Sequence, residues 1–188
     1  IHAIGDRANH EVLNALEKMR KYEQINKVHP RLRHRIEHVQ VLDPLDIPRL
    51  AKFEIIASMQ PIHAISDMLM ADRYWGERAA YSYAWKALLK QCAVLCFGSD
   101  APVETPQPFW GIHAAVTRQR GDGYPGPPGW YPEQRLTTGE AIFAYTSAPA
   151  FASGMEDRIG KLIPGYYADL LVLDRDIFQC HPEEIRNT

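Results

Sequence analysis

The feature that most constrains the fold is a pattern in which a short apolar segment is followed by a helical one. Between the apolar segments, hydrophobic residues recur at helical spacing, as Val12, Leu16 and Met19 do in the helix predicted over 6–24. The pattern occurs four times, and its predicted strands cover 1–4, 33–40, 54–59 and 92–98. Four successive strand–helix units predict parallel strands joined by helical crossovers, and therefore an α/β fold.

Local signals predict where several helices begin. Asp6 is placed to cap the first helix, and the Asp43-Pro44 pair predicts a second helix that runs to about residue 53. Thr137 and Glu140 match a capping box, which predicts a helix to about residue 145. The other predicted elements are helices over 81–91 and 109–118, a Gly/Pro-rich loop over 121–133 and a late strand over 168–174.

Two architectures fit this order of elements. Half of a (β/α)₈ barrel and a small doubly wound sheet both alternate strands with helices, and periodicity alone does not separate them. The chain opens with Ile1-His2-Ala3-Ile4, without a Met or a preceding turn, as a strand already under way. We therefore expect the sequence to be a fragment of a longer protein.

Charge and composition argue against several classes of partner. A formal net charge of −2 does not favour nucleic acid, and the sequence has neither an apolar run that would span a bilayer nor a signal peptide. The three cysteines lack CxxC spacing and do not form a disulfide framework. We expect a cytoplasmic protein that acts on a small molecule and binds neither nucleic acid nor membrane.

Polar residues occur where the predicted strands end. His2 lies at the end of the first strand and His38 at the end of the second, Gln60 and His63 follow the third, and Asp100 follows the fourth. Each of these residues, taken singly, is also compatible with a structural role. In βα barrels the functional residues lie at the carboxyl ends of the strands. The joint pattern therefore predicts that these side chains share one rim.

Two imidazoles and a carboxylate form a suitable set of zinc ligands. A catalytic zinc site leaves one position open for water, and the ion lowers the pKa of that water to about 7 while it polarises a substrate carbonyl. An aspartate beside the ion can accept the proton of the water and pass it to the leaving group. The sequence predicts His2, His38 and Asp100 as metal ligands, with Asp100 also the catalytic residue.

Several motifs in the right order resemble the amidohydrolase superfamily, and within it the YtcJ-like branch, amidohydrolase family 3. The resemblance covers nearly the whole chain. The matching stretches are His2–Ala8, Arg35–Gln40, Ser58–Pro61, Gly98–Pro102, Thr138–Ala141, Ser147–Ala150, Gly160–Gly165 and Ala168–Asp174.

This resemblance implies a specific fold and site. Residues 1–155 would be the second half of a (β/α)₈ TIM barrel, strands five to eight, and residues 156–188 would return to a small β-sandwich. His2, His38 and Asp100 would fall on strands five, six and eight as ligands of one or two divalent ions, most simply zinc. Gln60 and His63, on strand seven, would face the substrate. Because strands one to four are absent, we expect self-association or pairing with the missing N-terminal half.

The leading functional hypothesis, drawn mainly from the resemblance, is a metal-dependent hydrolase of non-peptide carbon–nitrogen bonds, such as amides or formamides. The isolated fragment would be incomplete and inactive. One alternative is a non-catalytic regulatory or binding protein that retains the barrel. Another is an α/β domain without a metal, in which His2, His38 and Asp100 would not converge. The aromatic residues in or near the Gly/Pro-rich loop fit either a lid over the site or a packed surface patch; they are Trp110, Tyr124, Trp130 and Tyr131.

Overall fold

A computed structural model describes residues 1–30 and 32–188, and it contains a four-stranded parallel sheet in the order β1-β2-β3-β4. The strands are β1 (His2–Ala3), β2 (Arg35–His38), β3 (Ile56–Met59) and β4 (Leu95–Phe97). The predicted α/β fold with a parallel sheet is confirmed. Neighbouring strands follow the chain order, without the reversal that marks a doubly wound sheet.

Helices connect the strands and extend beyond the last one. The α-helices are α1 (Asp6–Ile25), α2 (Ile47–Lys52), α3 (Pro61–Trp75), α4 (Trp85–Lys90), α5 (Pro108–Thr117), α6 (Thr138–Tyr145) and α7 (Ser147–Ala152). Short 3₁₀ helices cover Gly76–Tyr81, Pro132–Gln134 and Pro182–Asn187. None of the helices in the described part of the chain is long and apolar enough to cross a lipid bilayer.

The main core lies between the sheet and the helices. Ile36 and Ala57 from the strands are fully buried together with Leu13, Leu50 and Leu88 from the helices. Burial of each large aliphatic side chain contributes about 1.5–3 kcal/mol. Successive strand residues point to opposite faces, and the other face carries a smaller apolar cluster formed by Ile56, Cys96 and Ala148. The sheet is therefore apolar on its helix-covered face and only partly covered on the other.

Several predicted boundaries need correction. Helix α1 starts at Asp6 with Gly5 as its cap, and the Asp6 carboxylate instead accepts hydrogen bonds from Arg7 N and Arg78 Nη1. Asp43 and the residues after it form a turn, so α2 begins only at residue 47. Helix α3 follows β3 with one residue between them, and α4 covers only part of the helix predicted over 81–91.

The strand predicted over 168–174 does not form. Leu170, Leu171 and Val172 are 55%, 73% and 92% exposed in an irregular segment. A strand needs a hydrogen-bonding neighbour, and no strand of the described sheet pairs with this segment. The continuous apolar run that suggested a strand lacks a strand to pair with in the described sheet.

Candidate metal centre

The carboxyl ends of β1 and β2 place two imidazole rings against each other. Ala3 is in register with His38, so His2 and His38 lie on adjacent strands at the same edge of the sheet. His2 Nδ1 is 2.8 Å from His38 Nε2, and the ring centroids are 4.8 Å apart. The two histidines, 36 residues apart in sequence, therefore meet at the predicted rim.

Unusual backbone geometry turns the chain at this rim. His38 has φ of 77° and Asp100 has φ of 58°, both in the left-handed region that residues other than glycine rarely adopt. Such conformations cost about 1–3 kcal/mol each and occur preferentially at functional sites. At His38 the extended backbone of β2 ends, so the left-handed turn fixes the position of this residue at the strand end.

His38, His63 and Asp100 form a compact group of possible ligands. One ligand atom from each residue lies within 4.8 Å of the others, and His63 Nε2 is 4.0 Å from Asp100 Oδ2. His38 is half-buried, the His63 side chain is 13% exposed and the Asp100 side chain is 36% exposed. The group is therefore open to solvent on the Asp100 side.

Gln60 holds the His38 ring. His38 Nδ1 is 3.0 Å from Gln60 Oε1, and the Gln60 side chain is buried at the start of α3. Because a carboxamide oxygen only accepts hydrogen bonds, the proton of a neutral His38 ring lies on Nδ1 and the lone pair lies on Nε2. Ligating histidines in metalloproteins show the same arrangement, with the other ring nitrogen bonded to an oxygen.

The sequence predicts His63 at this rim but does not group it with the metal ligands. His63 lies in the first turn of α3, beside His38 and Asp100, and in the described part of the chain its buried Nε2 has no hydrogen-bond partner. The resemblance had grouped it with Gln60 as a residue that faces substrate. The sequence signal for this placement is the spacing between Gln60 and His63. A residue three positions after Gln60 lies beside the end of β3 only if α3 begins directly after that strand.

A second set of hydrogen bonds fixes α3, which carries His63. Asp67, one turn farther along α3, accepts hydrogen bonds of 2.6 Å from Gln40 Nε2 and from the Tyr83 hydroxyl. Burial and the neighbouring Asp67 carboxylate raise the pKa of Tyr83, so its hydroxyl remains a donor. These bonds tie α3 to Gln40, which follows β2, and to Tyr83, which follows the 3₁₀ helix Gly76–Tyr81.

Glu37, next to His38 in sequence, remains charged. Burial tends to raise the pKa of Glu37, but the Ser58 hydroxyl and the Arg35 guanidinium outweigh it and hold that pKa below its ordinary value. Arg35 and Glu37 lie two residues apart in β2, on the face opposite to Ile36. This pair supplies fixed charges on the less covered face of the sheet.

The aromatic residues near the Gly/Pro-rich loop differ in their environments. Trp130 is buried, stacks with the Arg118 guanidinium at 4.8 Å and donates a hydrogen bond from Nε1 to Asp72. Trp110 is 39% exposed beneath the Arg186 guanidinium, and Tyr124 is 46% exposed. Trp130 therefore belongs to the core and anchors the end of the loop.

The donor set fits a zinc-like ion. Imidazole nitrogen and carboxylate oxygen are common ligands of zinc in proteins. The buried His63 Nε2, which has no hydrogen-bond partner within residues 1–30 and 32–188, is an independent indication, since buried polar atoms are normally satisfied. The structure thus brings His38 together with His2 on one side and with His63 and Asp100 on the other.

Several known proteins are similar to this chain in sequence. The putative amidohydrolase YtcJ of Bacillus subtilis (strain 168) is 37% identical over 186 residues, which cover 98% of this chain and 34% of that protein. Protein LONG AFTER FAR-RED 3 of Arabidopsis thaliana is 36% identical, with coverage of 92% and 29%. The N-substituted formamide deformylase of Arthrobacter pascens is 29% identical, with coverage of 99% and 33%. The chain spans about a third of the length of these curated relatives.

Solved structures share its fold. An uncharacterised metal-dependent hydrolase of Pyrococcus horikoshii OT3 superposes with a TM-score of 0.78 and 32% identity, covering 97% of this chain and 35% of that one. A counterpart from Pyrococcus furiosus has a TM-score of 0.76 and 30% identity, covering 95% and 33%. The model of the amidohydrolase family matches residues 1–188. This chain therefore belongs to the amidohydrolase family.

Proposed function

We propose that this chain is part of a metal-dependent hydrolase that cleaves non-peptide carbon–nitrogen bonds, such as those of amides or formamides. The observation that carries the proposal is that His38, at the carboxyl edge of a parallel sheet, lies against His2 on one side and beside His63 and Asp100 on the other. The relatives named for amidohydrolase and formamide deformylase activity support the bond type.

The proposed architecture assigns β1–β4 to strands five to eight of a (β/α)₈ barrel. The sequential parallel order and the fit to two metal-dependent hydrolases support this assignment. Residues 156–188 would join a small β-sandwich, and the exposed Leu170, Leu171 and Val172 supply the apolar side chains for such packing. Further ligands would come from the strands that precede this sequence.

In the proposed reaction, His2, His38 and Asp100 would hold one or two divalent ions, most simply zinc. The ion would supply an acidified water and a polarised substrate carbonyl. Gln60 would keep the Nε2 lone pair of His38 directed into the site. Asp100, the most exposed of the three clustered donors, would accept the proton of the attacking water and return it to the departing nitrogen.

The test is hydrolysis by the full-length protein of a panel of amides and N-substituted formamides. Asp100→Asn removes the proton acceptor and should lower kcat/KM by roughly 10²–10⁴-fold. Asp169→Asn, at an exposed position, is the matched control and should retain the activity. Unchanged turnover in Asp100→Asn would remove this residue from the mechanism.

A second candidate function is a non-catalytic regulatory or binding role on the same fold. The plant relative, at 36% identity, is not named for an enzymatic activity, and fold does not fix function. The two candidates separate on the full-length protein, because a binding protein would leave the whole panel uncleaved whether or not it contains metal.

A further inference from the structure

We propose that His63 is a metal ligand, so that His38, His63 and Asp100 together hold one divalent transition-metal ion. This inference rests on the proposed function, because it completes the same site. It replaces the substrate-facing role that the resemblance implied for His63, and it adds a donor from the start of α3 to the donors from the strand ends.

The first support is the state of the His63 ring. Its side chain is only 13% exposed, and the buried Nε2 lacks a hydrogen-bond partner among the described residues. A buried ring nitrogen in this state is unfavourable unless something binds it. The Oδ2 atom of Asp100 lies 4.0 Å from this nitrogen, beyond hydrogen-bonding distance. A cation shared between these two atoms would satisfy both.

The second support is the spacing of the donors. Zinc binds imidazole nitrogen and carboxylate oxygen at about 2.0–2.2 Å, so ligands arranged around one ion lie ~3.3 Å apart in tetrahedral geometry. The three donor atoms lie within 4.8 Å of one another, and His63 and Asp100 are 4.0 Å apart. Small side-chain rotations bring such a set to the required spacing.

The third support is the rigidity of the two histidines. Gln60 accepts a hydrogen bond from His38 Nδ1, so the lone pair of that ring is on Nε2, the atom that lies 2.8 Å from His2 Nδ1. Asp67 anchors α3 one turn beyond His63 through Gln40 and Tyr83. Both histidines are therefore positioned before any ion binds, as an effective ligand set requires.

The test is a Co²⁺ titration of the 188-residue protein, followed by its visible absorption spectrum and by competition with Zn²⁺. His63→Ala should weaken Co²⁺ binding by at least the roughly 10–100-fold that loss of a supporting residue costs. His181→Ala, an exposed histidine outside the site, is the control and should bind as the unchanged protein does. Equal affinity and an unchanged spectrum in His63→Ala would overturn the inference.

A second variant guards against a folding defect. His63→Cys replaces one zinc ligand by another, and a thiolate on Co²⁺ produces a near-ultraviolet charge-transfer band. We expect this band in His63→Cys and not in the unchanged protein, whose three cysteines lie outside the cluster. A folded His63→Cys protein, judged by circular dichroism, that binds Co²⁺ without the band would contradict a ligand at position 63.

The outcomes separate this inference from the proposed function. If His38→Ala abolishes Co²⁺ binding and His63→Ala does not, the inference fails and the metal site of the proposed function stands. If binding depends on His63 but the full-length protein cleaves no amide or formamide, the inference stands and the proposed function fails. An unchanged 188-residue protein that binds no Co²⁺ would contradict the proposal that His38, His63 and Asp100 together hold an ion.

Discussion

Gln60 Oε1 lies 3.0 Å from His38 Nδ1 and connects the residue that caps α3 to the residue that ends β2. Through this bond, the segment after β3 determines which nitrogen of His38 is available to a metal ion. The candidate site is thus built from pairs of neighbouring strand ends, and not from isolated side chains that happen to face one pocket.

Replacement of Gln60 tests this relationship. Gln60→Leu keeps the approximate volume and removes the acceptor, so the His38 ring loses its fixed tautomer and orientation. We expect Zn²⁺ affinity, measured by equilibrium dialysis, to fall roughly 10–100-fold. Gln60→Glu retains an acceptor at the same position and should preserve affinity. If Gln60→Leu binds Zn²⁺ as well as the unchanged protein does, the bond has no role in metal binding.

The capping box of α6 provides a stability prediction away from the site. The Thr137 hydroxyl accepts from Glu140 N, while the Glu140 carboxylate accepts from Thr137 N. Thr137→Ala should lower the free energy of unfolding by about 0.5–2 kcal/mol in urea titrations. Thr138→Ala, one residue into the helix, keeps the box and is the control. Equal losses in both variants would contradict a specific capping effect.

The pKa of His113 leads to a prediction of how the free energy of unfolding depends on pH. Burial lowers the pKa of His113 below its ordinary value, Arg186 lowers that pKa further, and Glu183 partly offsets them. The unfolded chain therefore binds a proton more readily than the folded one. The contribution of neutral His113 is complete above the unfolded pKa of about 6.5 and is lost as the pH falls below it.

Thermal unfolding between about pH 7 and pH 5 measures this effect. The midpoint should fall with pH, and His113→Gln should flatten the decline because it removes the buried titrating group. His181→Gln, at an exposed histidine, should retain the slope of the unchanged protein. A slope that His113→Gln leaves unaltered would assign the pH dependence to other groups.

The four-strand pattern could be predicted from the sequence because each strand–helix unit carries its own periodicity. Helix α1 and the capping box of α6 were predicted to within a residue for this reason. Tertiary context decided the remainder. Asp6 accepts hydrogen bonds from side-chain and backbone donors in place of a capping role, and the 168–174 segment found no strand to pair with.

The candidate site shows the same division. The convergence of His2 and His38 follows from the topology of parallel strands, because their carboxyl ends share one edge. The place of His63 depends on the exact residue at which α3 begins, which pattern reasoning places only to within a few residues. The sequence around Gln60 likewise does not show whether its side chain contacts the ring of a metal-binding histidine or a substrate.

Self-association remains a prediction. In the described sheet, β1 pairs only with β2 and β4 pairs only with β3, so each outer strand presents free backbone groups. Such edges favour pairing with another chain. We expect multi-angle light scattering of the 188-residue protein to show dimers or larger species. A monomer across a wide concentration range would contradict this expectation.

We propose that imidazoles and a carboxylate at the carboxyl edge of this sheet hold a divalent ion. Anomalous X-ray diffraction at the zinc absorption edge, on crystals grown with Zn²⁺, tests it most directly. We expect an anomalous peak about 2.0–2.2 Å from His38 Nε2 and from an Asp100 carboxylate oxygen. Ordered His38 and Asp100 side chains with no peak between them would contradict it.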